Sequence, residues 1–183
     1  MKYSPIDKCS GPLWEPKLWN NLSDIPHLKN TNCYDYAFNY ISYREDKLQP
    51  GELSSGKFKD YTCESIINKL KEDYQDVQVS YFREKLDCSR YRIALAINTT
   101  TDDEDYHFYR QDNNGLWSHK TGKNNISRID ASGHIITNPE YSDRDYTKGG
   151  QIEDENNYDL FCGYFSIPNR EGPIIRGNKS SNH

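Results

Sequence analysis

Nowhere in this sequence do eighteen apolar residues run together, and its opening stretch, MKYSPIDKCSGPLW, holds no apolar core of a leader segment. Neither a membrane-spanning helix nor a secretory signal is therefore expected. An excess of positive charge is missing too: 23 Lys and Arg stand against 28 Asp and Glu, a formal charge of -5, and the cations are scattered rather than striped. Without a basic stripe the electrostatic footprint of a nucleic-acid binder is absent. The five cysteines, Cys9, Cys33, Cys63, Cys88 and Cys162, are odd in number and never form a CxxC pair. That spacing argues against a disulfide framework and against a structural zinc site. A reducing setting is expected, cytoplasmic or virion-associated, with at least one thiol free. The acidic run from Asp102 to Asp105 lacks the glycine and distal glutamate of a dedicated calcium loop and reads as a solvated loop.

What is present suffices for one core. Fifteen Tyr, six Phe and three Trp in 183 residues supply the apolar mass of a single domain, because a tyrosine ring packs well despite its hydroxyl. Residues 1–29 carry Pro5, Pro12, Pro16 and Pro26 around PLW and KLW, which predicts an extended arm packed on the domain. Asn30, Thr31 and Asn32 are good N-caps, and Cys33, Ala37, Tyr40 and Ile41 then recur at helical spacing. Cys33 falls in the first turn of that helix. Residues 48–56 are turn-rich, and a second helix over 59–74 places Cys63, Ile66, Ile67 and Leu70 on one core-facing stripe. The period then drops to two over 77–82, 91–98, the hairpin 105–122, HIIT at 134–137 and DLFCGYFSIP at 159–168. Helices followed by antiparallel strands predict an α+β domain over 30–168, with a flexible tail over 169–183.

The hairpin holds two histidines, His107 and His119, twelve positions apart around Asn113-Asn114-Gly115. Whether they share a face depends on the loop. A two-residue turn at Asn114-Gly115 sets odd residues opposite even ones and points the rings to opposite faces. A three-residue loop with a left-handed glycine sets odd opposite odd, so that His119 lies across from Tyr109 and diagonal to His107 on one face. Asn and Gly suit both loops, and the residues alone leave the choice open.

A cysteine at a helix start, a strand histidine and a second histidine across a hairpin together resemble the papain-like cysteine peptidases, in the branch of bacterial cell-wall endopeptidases and CHAP amidases. The resemblance implies a papain-like fold with Cys33 as nucleophile, His107 as general base and His119 as the residue orienting that base. The chain also resembles, over roughly residues 30 to 168, a set of proteins with an NCYxYA stretch and an HxYRxDxxGxWxHKxG hairpin, some of them shell-matrix components rather than enzymes. In the catalytic case the helix start and an imidazolium would lower the Cys33 pKa. The backbone N–H of Cys33, with the side chain of Asn30 or Asn32, would then meet the oxyanion.

Two functions follow as expectations. The first is a cysteine hydrolase or acyltransferase that cleaves an amide or isopeptide bond of a peptide or polymer through a Cys33 thioester, with no cofactor, metal, nucleic acid or membrane involved. The second is a non-catalytic papain-like module, a matrix or virion component, in which Cys33 is a small core residue and both histidines are hydrogen-bonded sheet residues. A zinc site from Cys33, His107, His119 and Cys162 has the right ligand types but no paired spacing, and Cys162 reads as core. No role is assigned to His27, His134 or His183.

Overall fold

The structure, a computed structural model, describes residues 11–21, 25, 28, 30–100, 104–122, 124–150, 152, 154–170 and 174–176. Cys9, His27, Asp102, Asp103, His183 and most of the expected tail lie outside the described residues. The elements in chain order are α1 (Pro16–Asn20), α2 (Cys33–Ala37), β1 (Tyr40–Ser42), α3 (Cys63–Asp73), β2 (Gln78–Ser80), β3 (Arg90–Asn98), β4 (Asp105–Gln111), β5 (Trp117–Lys120), β6 (Ile126–Ser127), β7 (Leu160–Pro168) and β8 (Ile174–Arg176). The fold is α+β: an antiparallel six-stranded sheet in the order β2-β7-β3-β4-β5-β6, with β1 and β8 as a separate parallel pair. Among the described residues no helix is long and apolar enough to cross a membrane.

Strand alternation sorts the core into two layers. From β3, Tyr91, Ile93, Leu95 and Ile97 meet Tyr34 and Ala37 of α2 and Ile66 and Leu70 of α3. On the opposite face, Ala94 and Ala96 lie beneath Tyr109, Trp117, Ile136, Tyr146, Tyr158 and Tyr164. The small alanines leave room for a layer of rings contributed partly by the long connection between β6 and β7. Both faces of the central strands are thus covered, which is why β3 reads as nearly continuous apolar sequence.

Several expectations need correction. The helix beginning at Cys33 ends at Ala37 rather than running to Ile41, because Asn39 takes φ 55 and redirects the chain into β1. The strand expected over HIIT is an isolated bridge, Ile129 to Ile135, and β6 lies earlier. The first arm contains the helix α1, begun by Pro16 at a position where a missing N–H costs nothing. Its Trp19 is buried edge-on to Tyr36, ring centroids 4.8 Å apart. Most consequential, Cys63 and Cys162 are joined in a disulfide with Cα atoms 5.4 Å apart, and Cys88 is disulfide-bonded as well. An odd cysteine count does not forbid bridges; it requires one cysteine left over, and Cys33 is free and buried.

The arm is tied down at a buried ion cluster. Arg110 and Asp112 pair at 3.2 Å with both side chains fully buried, and Arg128 joins Asp112 at 2.9 Å. The Arg110 guanidinium lies 3.9 Å over the Tyr36 ring and donates to the Leu13 carbonyl. Gly11 takes φ +101, and a Cβ there would fall 2.8 Å from the Gln111 carbonyl oxygen, so the close approach of arm to hairpin requires glycine.

Candidate functional site

Asn32 begins α2 with a reciprocal cap. Its side-chain oxygen accepts from the backbone N–H of Tyr34 (3.0 Å) and Asp35 (3.1 Å), and the Asp35 carboxylate accepts from the N–H of Asn32. This fixes Cys33 as the first helical residue, pressed against β4. Cys33 is 6% exposed, and its Sγ lies 3.9 Å from the Tyr106 carbonyl oxygen, to which it donates. Burial, reinforced by the negative charge of Asp105, pushes the thiol up to about 12. The lowering expected from a helix start and an imidazolium is not found: desolvation of the buried sulfur dominates.

The hairpin adopts the three-residue loop. Asp112 N–H donates to the Leu116 carbonyl, Tyr109 pairs with His119, and Gly115 sits at φ 81. Odd therefore opposes odd, and the two histidines share a face. His107 Nε2 and His119 Nδ1 are 2.8 Å apart, and His119 Nε2 lies 3.0 Å from the Ile129 carbonyl oxygen. A carbonyl only accepts, so His119 carries its proton on Nε2 and accepts at Nδ1 from His107 Nε2–H. The remaining lone pair of the chain is then on His107 Nδ1. Both rings are held neutral: burial, with the neighbouring His119, keeps His107 well below its usual range, and burial lowers His119 to about 4.

Tyr158 stacks on His107 with centroids 4.9 Å apart, and its hydroxyl lies 3.1 Å from both Asp105 Oδ2 and Asp154 Oδ2. Burial raises the Asp105 carboxyl above its usual value. Cys33 and His107 line one small cleft of about 110 Å³, together with Asn32, Lys47, Gln49, Asp105 and Tyr158. His119 stands behind His107 and outside the lining. Among the described residues the Cys33 thiol directs its hydrogen bond to the Tyr106 carbonyl and not to His107.

Of the two asparagines considered for an oxyanion, Asn32 lines the cleft but commits one amide hydrogen to the Leu48 carbonyl at 2.7 Å. Asn30 donates to the carbonyls of Arg44 and Glu45 and does not line the cleft. Cys162 is spent in its disulfide and is unavailable as a zinc ligand. The sequence did not single out Lys47, Gln49 or Tyr158. Gln49 sits in a turn-rich loop without periodicity, and its carbonyl oxygen accepts from the Tyr106 hydroxyl at 2.9 Å. Lys120 is a buried amine on the neighbouring strand β5, lowered to about 8 by burial, with Nζ donating to the carbonyls of Gly122 and Asn124.

No family model matches the chain, and no solved structure matches it. A relative 32% identical over 131 residues, spanning 72% of this chain and 80% of its own length, is insoluble matrix shell protein 1 of Ruditapes philippinarum. With that identity and that coverage, the chain belongs to the family of insoluble matrix shell protein 1.

Proposed function

We propose that this protein is a non-catalytic structural module with a papain-like arrangement of helix and sheet, serving as a component of an insoluble matrix in an oxidising setting. The observation that carries the reading is the state of Cys33: a residue 6% exposed, its thiol pushed up to about 12 and its hydrogen bond given to a carbonyl. A thiol in that state is protonated throughout the neutral range, and the thiolate is the nucleophile. The relative's name as a matrix protein supports the same reading. So do the bridges at Cys63, Cys162 and Cys88, because disulfides persist where the surroundings oxidise.

The hydrogen-bond chain from Ile129 through His119 to His107 favours a second reading, a cysteine hydrolase acting on an amide or isopeptide bond. In that reaction His107 Nδ1 takes the Sγ proton, the thiolate attacks the carbonyl carbon, and the amine leaves with that proton. Water then hydrolyses the thioester.

Iodoacetamide alkylation at pH 8 with peptide mapping separates the two. A thiol at about 12 is ionised to about 10⁻⁴ at that pH, against about a quarter for a free cysteine. The structural reading expects Cys33 to alkylate about 10³-fold more slowly in the folded protein than in urea. Fast labelling of folded Cys33 that His107→Ala slows would overturn it in favour of the hydrolase.

A further inference from the structure

β7 is nine residues long, but its outer neighbour β2 pairs only with Tyr164, Phe165 and Ser166. From Leu160 to Gly163 the outer edge of β7 has no strand partner among the described residues, although its inner edge pairs with β3 around an irregularity that skips Cys162. The burial pattern follows: Leu160 is exposed and Phe161, Cys162 and Gly163 are half-buried, whereas Tyr164 to Ile167 are buried. Backbone N–H and C=O groups on such an edge are left to water or to an incoming chain.

This free edge forms the floor of a groove of about 650 Å³. α3 forms one wall with Glu64, Ile67, Asn68 and Lys71, a helical stripe at i, i+3, i+4 and i+7, and β2 and its following turn contribute Val79 to Phe82. The Cys63–Cys162 bridge anchors the first residue of α3 to the edge itself and so fixes the width of the groove. Gly163 bares the backbone: at φ +133, even an added Cβ would have no atom nearer than Phe165 at 4.0 Å. Val79 (59% exposed) and Tyr81 (72%) line the groove, and Leu160 (46%) stands at the far end of the unpaired edge.

We infer that this groove receives an extended, basic polypeptide segment that pairs with the free half of β7 as an added strand. An extended chain satisfies a row of backbone groups, which a sugar or a helix cannot do, and the edge from Leu160 to Gly163, bent by the irregularity at Cys162, spans up to about 13 Å. Aromatic floor positions Phe161 and Tyr164, their rings 4.9 Å apart, accept alternate apolar side chains. Two carboxylates on the rim, Glu64 and Glu140, against the single Lys71, select basic residues at the intervening positions. The inference does not depend on whether Cys33 reacts.

The probe is the peptide Ac-Lys-Val-Thr-Val-Lys-Val-NH₂, titrated into the full chain while amide resonances are followed by NMR. Shifts centred on Leu160 to Gly163 are expected. Backbone N-methylation on the pairing edge should weaken binding about tenfold, the effect of one lost hydrogen bond, while methylation on the opposite edge should not. Glu64→Gln with Glu140→Gln should weaken it by a further several-fold, most at low salt, with the circular dichroism spectrum unchanged. Three results overturn the inference: no shift at Leu160 to Gly163 at millimolar peptide, equal affinity for both N-methylated forms, or occupancy of the groove by cellohexaose in preference to the peptide.

Discussion

Replacing both Cys63 and Cys162 with alanine tests the bridge that joins α3 to β7. The two cysteines are 99 residues apart in sequence. For a closed loop of that length, chain entropy sets a stabilisation of about 4.7 kcal/mol, with native bridges commonly giving about 2–5 kcal/mol. A chain of 183 residues carries an unfolding entropy of about 0.38 kcal/mol/K, so the expected fall in melting temperature is about 5–12 °C. Scanning calorimetry of native and double-variant proteins measures it, and a non-reducing peptide map of the native protein should recover the Cys63 and Cys162 peptides linked. Hydrogen exchange should rise first at Leu160 to Gly163, where no outer strand among the described residues supports β7. A melting temperature lowered by less than about 2 °C, or separate peptides in the map, would refute the reasoning.

The histidine pair makes stability depend on acid. Both rings have lowered pKa values in the fold, so the unfolded chain binds protons that the folded chain excludes. The stabilisation is complete above the ordinary value of 6.5 and is lost as pH falls towards about 4, with His119 alone worth on the order of 3 kcal/mol. Urea midpoints should fall steadily from pH 7 to pH 4.5, and less steeply in His119→Gln; a flat profile contradicts the burial of the pair. At the ion cluster, Asp112→Ala strips the fully buried Arg110 of its carboxylate and should cost about 3–5 kcal/mol. Ser118→Ala removes a hydroxyl that donates to Asp112 at 2.9 Å and should cost about 1–2 kcal/mol. Equal losses in the two variants, measured by urea denaturation, would show that Arg110 finds other acceptors.

Local signals in the sequence were more legible than the path of the chain. A cap among Asn30, Thr31 and Asn32 with Cys33 in the first helical turn was legible because a cap depends on only a few neighbouring side chains, and the structure makes Asn32 that cap. The strands of β3, β4 and β7 were legible from their alternation and apolar content. The face shared by His107 and His119 was not, because one residue of loop length reverses it and Asn113-Asn114-Gly115 suits either turn; the pairing of Tyr109 with His119 decides it. Nor could spacing reveal the partner of Cys63, since a bridge over 99 residues is a fact of tertiary structure. The continuation of helical periodicity through Tyr40 and Ile41 misled for a different reason. Both side chains are buried, as the stripe implied, but they reach the interior from a strand.

The contacts of Gly11 to Trp19 move the boundary of the folding unit. A fragment begun at residue 30 would leave the Asn113 N–H without the Pro12 carbonyl, take the Leu13 carbonyl from Arg110, and open a void beside Tyr36 where Trp19 packs. Shortened versions of this chain should therefore keep the segment from Gly11 onward, and a library of truncations would show soluble expression dropping once that seam is cut.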